Sequence, residues 1–564
     1  MTQSAQGSLT GILGEGSERF QGRDVRETNI TAGKVLADTV KSTLGPRGMD
    51  KMLVGEAGKV VVTNDGASIL DRMDIEHPAA RALVQVAEGQ QNRIGDGTTS
   101  AVLLAGELLA EAADLLEDGL YPTTIETGYR LAVEHALTAI DSHTVPVDPT
   151  DTELLLSIAS TAVTGKWTDE EAQALLELVV DAAQAVERNG TVERRRITRT
   201  TVPGGSPTDS KLVDGLAIDM DASSTTLAPL DIDLPRRIED ARVALVDDQL
   251  TVEKADAITH VSVENPQQLD EISDYESDVY EGQASGIADA GADVVFCQKS
   301  IDDEVLARLA EKDIIAVERT RQDEMHKLAR ATGAEMVMRV DELTPNHVGR
   351  AGEIERRTIA GTDLVVVGDC STAEQRSLVF RGGTEHVIAE TKRLVENCLD
   401  DVTLAVEEAA VVPGGGAIEV AAASSLRETA DGIAGREQLA VSAFADALEV
   451  IPRTLATSAG LDPIDTLVEL RNRHHRDEWR SGLDVVTGEM GDMVDRGVVE
   501  PASVKRHAIP SATDAATLLL GIDDMLPASS AEETAHGHDD GHDHDHGHGG
   551  LEGSGEGYPW TIGH

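Results

Sequence analysis

The 564-residue chain is poor in aromatics, cysteine and positive charge. Phe, Trp and Tyr make up 2% of it against 40% hydrophobic residues, so Ala, Val, Leu and Ile must fill its core. Cys297, Cys370 and Cys398 are too few and too scattered for a disulfide framework, which points to a reducing compartment. With 48 basic and 102 acidic side chains the formal net charge is −54, and a basic surface that tracks phosphates is excluded over most of the protein. No nucleic-acid partner is expected. No apolar run approaches the ~18 residues of a membrane-spanning helix. Met1–Gly7 has neither the basic region nor the apolar stretch of a signal peptide, so the expected location is cytoplasmic, with no membrane partner. The length itself implies roughly three to four compact units.

The acidity is spread along the chain, while Lys accounts for only about a dozen of the basic residues. Dispersed charge of this size repels itself in dilute buffer, and molar salt shortens the screening length to about 3 Å. A cytosol holding very high salt, as in a halophilic archaeon, is the simplest explanation. An acidic protein of an ordinary cytosol is the alternative, and the scarcity of Lys speaks against it.

Thr31–Leu44 carries its aliphatics at helical spacing and stops at Gly45-Pro46; Lys59–Thr63 is strand-like and ends in a turn at Asn64-Asp65-Gly66. A long Ala- and Leu-rich helix follows Gly95–Ser100, and further helices reach about Ile140, before Pro146 and Pro149. From about Pro203 the texture becomes α/β, with short β-type runs at Ala241–Val246, Ala292–Phe296 and Asp313–Val317. After Gly382-Gly383 long helices return until about Leu520. Two helical blocks flanking an α/β insert predict one discontinuous domain whose middle carries the others. Beyond it, His536–His548 alternates His with Gly and Asp and has no apolar residue, so a disordered tail is expected. It reads either as solvated chain or as a weak Ni, Zn or Cu binder.

No Walker loop and no Rossmann glycine fingerprint is present. Three other glycine joints open or close helices. In Gly95-Asp96-Gly97-Thr98-Thr99-Ser100, amides and hydroxyls precede a strong helix, whose first-turn N–H groups favour an anion. Asp96 reads as a helix cap or as the carboxylate of a Mg²⁺ ion held mainly by phosphate oxygens. Thr43–Gly48 and Pro413–Ala417 read as a helix stop and a flexible turn, or as parts of the same cradle.

The succession Thr43-Leu44-Gly45-Pro46-Arg47-Gly48-Met49-Asp50-Lys51-Met52, then Thr63–Leu70, resembles the chaperonins. Asp74–Ala80 and Gly95-Asp96-Gly97-Thr98-Thr99 narrow the resemblance to group II, the archaeal thermosome type, and Arg381–His386, Val412–Gly416 and Gly497–Pro501 extend it over about residues 8–526. The resemblance implies a multidomain α and α/β chaperonin fold. Its equatorial domain would comprise residues 1–149 and 403–526, an α/β intermediate domain 150–216 and 368–402, and an α/β apical domain 217–367. A helical lid protrusion would fall at about 248–291, and the tail at 527–564. It further implies an ATP-dependent chaperone that binds non-native polypeptide in a double ring of like or paralogous subunits, with ATP and Mg²⁺ as cofactors and K⁺ as a further candidate. The acidic residues of the protrusion, Glu271, Asp274, Glu276, Asp278 and Glu281, read better as a solvated face than as a substrate-charge preference.

Carried over by position, Leu44, Gly45 and Pro46 line the nucleotide, Asp96 holds Mg²⁺, and Gly97, Thr98, Thr99 and Ser100 cradle phosphate. Gly415 and Glu500 would contact the nucleoside, Lys166 would sense the terminal phosphate, and Asp65 would be one of two acids near the attacking water. The second acid is missing. Counting from Arg381 or back from the glycine triplet reaches Asn397, which can hydrogen-bond a water but cannot take its proton. Glu396, Asp400 and Asp401 are the nearest carboxylates, and Asp401 lies one turn on. Two expectations follow: an ATPase that drives folding, or an ATP-binding subunit with impaired hydrolysis that serves as a structural or regulatory member of a mixed ring.

Overall fold

Apolar residues at helical spacing draw an early and a late stretch of the chain, within residues 23–142 and 417–521, into one bundle. The computed structural model describes residues 20–55, 60–165, 167–219, 237–252, 266–359, 361–370 and 375–525. Lys166, Lys59 and the tail 527–564 lie outside the described residues, as does part of the expected protrusion. The helices Arg23–Lys41, Pro78–Arg93, Thr98–Glu117 and Pro122–Ser142 pack with Ala417–Ala430, Glu437–Leu448 and Ala502–Gly521 around one core. That core is almost wholly aliphatic. Its few rings are used where they fill most: buried Tyr129 meets Phe444 edge-on at 5.5 Å, and its hydroxyl donates to the Leu108 carbonyl at 2.8 Å.

A second core joins the helices Thr152–Val163, Asp169–Val186 and Glu385–Glu408 to a three-stranded sheet. In that sheet Arg376–Gly382 runs parallel to Ile197–Pro203 on one side and antiparallel to Lys211–Asp214 on the other. Trp167 packs against this core.

The third body is built on a seven-stranded mixed sheet. Ile315–Val317, Val294–Cys297 and Arg237–Val246 are parallel, and Gly349–Ile359, Thr362–Gly368 and Leu216–Asp219 continue antiparallel. Met336–Val337 also pairs with Arg237–Val246. Strand alternation sends Val243, Leu245, Val294 and Phe296 to one face, and Ala244, Val246, Val295 and Cys297 to the other. Both faces are covered, one by the helix Gln322–Thr332 and the other by Pro266–Asp289 and Asp303–Glu311, which explains the unbroken apolar runs of these strands. On Pro266–Asp289, Asp274 and Asp278 are exposed, while Glu281 is paired with Arg308 and Lys312. A separate small unit contains the antiparallel pair Phe20–Gln21 and Asp524–Met525.

Two local expectations are corrected. The first helix starts at Arg23, eight residues before the apolar pattern becomes clear at Thr31, because Val25, Asn29 and Ile30 continue the buried stripe with a polar residue in its middle. Asn64-Asp65-Gly66, expected as the turn that ends the strand, is a helix start: Asp65 caps the helix Gly66–Arg72, its Oδ2 accepting the Ser68 N–H at 2.8 Å.

Candidate functional site

Three helix-terminal loops converge where the first two cores meet. Arg23–Lys41 ends in the loop Thr43–Gly48, where buried Thr43 donates to the Val40 carbonyl and lies 3.5 Å from the Thr99 hydroxyl. Thr98–Glu117 begins at Gly97, whose left-handed φ of 76° turns the chain into the helix. A Cβ there would fall 2.6 Å from the Val504 side chain, so both conformation and space demand glycine. The amides of Thr98, Thr99 and Ser100 have no acceptor in the preceding turn and remain available for an anion. Fully buried Gln90 fixes this loop, donating to the Asp96 carbonyl at 2.8 Å and to the Val504 carbonyl at 3.3 Å. The third loop, Gly414–Gly416, leads from the strand Ala410–Pro413 into the helix Ala417–Ala430, and the Leu483 N–H binds the Gly415 carbonyl at 2.9 Å.

These loops line one cleft of about 250 Å³. Of the residues singled out in the sequence, Leu44, Gly45, Pro46, Asp65, Asp96, Gly97, Thr98, Thr99, Ser100, Asn397, Gly415 and Glu500 all line it. Lys166 lies outside the described residues. Its neighbour Gly165 abuts the Thr43–Gly48 loop so closely that a Cβ would come within 2.0 Å of the Pro46 carbonyl oxygen.

The inner wall holds a buried charge cluster that sequence reading missed. Lys505 Nζ lies 2.7 Å from Glu419 and 3.0 Å from Glu500. Burial pushes the Glu500 carboxyl up to about 7 against the pull of Lys505, and Glu419 adds to the rise. Burial alone would lower Lys505, but the two carboxylates override it and hold the ammonium charged. The available signal was the rarity of lysine: one standing in the Ala-rich run Ala502–Gly521 needs a reason to be there. Gln90 gave no such signal, since nothing in its own helix distinguishes it from surface glutamines.

The site therefore offers amides at a helix N-terminus, hydroxyls, and, among its carboxylates, Asp96 just before the N-cap Gly97. This donor set suits a polyphosphate with a hard divalent cation held through one carboxylate and phosphate oxygens. Residues 36–530 match the TCP-1/cpn60 chaperonin family. The chain belongs to that family. It is 46% identical over 521 residues to a thermosome subunit of Methanopyrus kandleri, covering 92% of this chain and 94% of that one. Thermosome subunit alpha of Halobacterium salinarum is 45% identical over 530 residues, 94% of this chain and 93% of its own. Thermosome subunit 1 of Haloferax volcanii is 44% identical over 538 residues, 95% of each chain. This chaperonin chain is thus of the archaeal group II type, an ATP-dependent chaperone. No helix among its described residues is long and apolar enough to cross a membrane.

Proposed function

We propose that the cleft binds ATP with Mg²⁺, and that nucleotide turnover drives a cytoplasmic double ring of these or paralogous subunits to enclose and fold non-native polypeptide. The observation that carries this reading is the convergence of four sequence-distant segments, Thr43–Pro46, Asp65–Gly66, Gly95–Ser100 and Gly414–Gly416, on one cleft beside Glu500. In this reading Thr98, Thr99 and Ser100 bind phosphate oxygens, and Leu44 to Pro46, Gly415 and Glu500 hold the nucleoside. Asp96 would hold the cation; when bound, Mg²⁺ supplies charge neutralisation to the phosphates. K⁺ would serve as the bulk and accessory cation. The helical bundle corresponds to an equatorial domain, the body around the Glu385–Glu408 helix to an intermediate one, and the seven-stranded body to an apical one with a protrusion at about 248–291. The even spread of negative charge supports a halophilic origin.

The test is ATP-dependent refolding of a denatured, salt-tolerant client in molar KCl, with equilibrium ATP binding measured alongside. Wild type is expected to suppress client aggregation and to release folded client only with Mg-ATP. Asp96→Ala should weaken Mg-dependent ATP binding at least tenfold and abolish release, while client capture persists. Binding that is insensitive to Asp96→Ala would remove the cation assignment.

A further inference from the structure

The helix Glu385–Glu408 carries Glu396, Asn397, Asp400 and Asp401 on consecutive turns beside the cleft. The three carboxylates have different fates. Glu396 is paired with Arg199 at 3.2 Å, and Asp400 with Arg194; neither lines the cleft. Asp400 also packs against the backbone of Gly95, where a Cβ would lie 3.0 Å from its Oδ2. Asp401 does line the cleft, together with Asn397, and is only 2% exposed. Residues four apart on a helix lie one above the other, so the amide and the carboxylate occupy adjacent positions on one wall. Around them Cys398, Leu399, Val402 and Ala405 are buried in the apolar core, an expensive setting in which to keep an acid.

Asp65, Asp96, Asp484 and Glu500 also line the cleft, each in a different setting. Asp65 accepts the Ser68 N–H as a helix cap at 2.8 Å. Asp484 accepts the amides of Val486 and Thr487 at 3.0 and 3.2 Å and is paired with Arg496. Glu500 is bound to Lys505, and Asp96 stands just before Gly97, the N-cap of the helix Thr98–Glu117.

We infer that Asp401 is the proton acceptor for the water that attacks the terminal phosphate, with the Asn397 amide holding that water. This rests on the cleft being the ATP site. In the step, the water oxygen forms a bond to the γ-phosphorus, and the bond to the bridging oxygen breaks. ADP leaves with that electron pair, and the water proton passes to the Asp401 carboxylate and then to solvent. An amide has no basic lone pair for this proton, whereas a carboxylate one turn away does.

The experiment compares wild type, Asp401→Asn, Asn397→Asp and the double variant, all full length, in molar KCl with Mg²⁺. Steady-state turnover and equilibrium ATP binding are measured on each. Asp401→Asn is nearly isosteric; it should lower kcat by about 10²–10⁴ with ATP Kd within about threefold of wild type. Adding Asn397→Asp to it should restore most of the lost turnover, because the carboxylate returns to the same wall one turn back. That rescue is something a purely structural aspartate would not permit. Turnover by Asp401→Asn within about threefold of wild type overturns the inference. So does joint loss of binding and turnover without rescue. A wild type that binds ATP but does not hydrolyse it also overturns the inference, yet leaves the nucleotide site standing. A wild type that does not bind ATP fails the site itself.

Discussion

Glu111 shows how one residue links this protein to pH. It lies in the helix Thr98–Glu117, where burial, with Asp446 and Glu107 adding and Arg453 opposing, pushes its carboxyl up to about 7. Its unfolded value is the ordinary one near 4.5, so the folded chain holds a proton that the unfolded chain has lost between those limits. Its stabilising contribution is complete below about pH 4.5 and falls as pH rises toward 7. Glu111→Gln should therefore weaken the loss of stability between pH 5 and 7 by about one proton per chain. Denaturant unfolding midpoints at several pH values would check this, and an unchanged slope would refute it. The residue scale is also where the sequence was most and least legible. Every glycine-rich joint was visible, because a left-handed turn into a helix needs glycine and glycine stands out. The partners of buried polar groups were not, because Gln90 and Glu419 acquire their meaning from chain segments far away in the sequence, Val504 and Lys505.

Glu449 does for elements what Gln90 does for a loop. It sits at the junction of the helices Glu437–Leu448 and Val450–Ala459, with its side chain 1% exposed. It accepts from Arg427 at 3.0 and 2.8 Å, and from Arg471 Nε at 2.8 Å. Those arginines belong to Ala417–Ala430 and Pro463–His474, so one carboxylate ties four helices together. Glu449→Ala leaves two partly buried guanidinium groups with Asp446 alone. The expected loss is roughly 2–4 kcal/mol, readable from denaturant unfolding. Element type was legible wherever the apolar period was clean, as in the buried strands and the Ala-rich helices. It failed where a polar residue joins a buried stripe, as Asn29 does in the first helix, and where a capping aspartate looks like a turn, as at Asp65. Asp401 belongs here too: its one-turn offset from Asn397 was readable, but its place in the cleft, and the arginine partners of Glu396 and Asp400, required the fold.

At the scale of the whole molecule the net charge of −54 dominates. Lowering KCl from molar strength to about 0.1 M lengthens the screening distance from about 3 to 10 Å and exposes carboxylates to one another across neighbouring helices. The thermal midpoint is expected to fall steeply over that range, by more than ten degrees, and a chloride or nitrate salt of equal ionic strength should restore it. A midpoint indifferent to salt would mean that the surface charges are already matched locally. The discontinuous bundle with its α/β insert was legible because composition changes texture at the crossings. The division of the insert into two bodies with separate cores is not visible in that texture and is expected only through the family resemblance, since both bodies use the same short apolar strands.

The shortage of rings has an optical consequence. Only three tryptophans colour the near-ultraviolet spectrum of 564 residues. One of them, Trp167, packs on the second core three positions after Thr164, a residue of the cleft wall. Trp479 rests under the Arg480 guanidinium and edge-on to His143, in a different corner. The protein thus carries an indole three residues along the chain from its candidate cleft, and exchanging Trp479 and Trp560 for Phe would leave the emission of Trp167 readable without any attached dye.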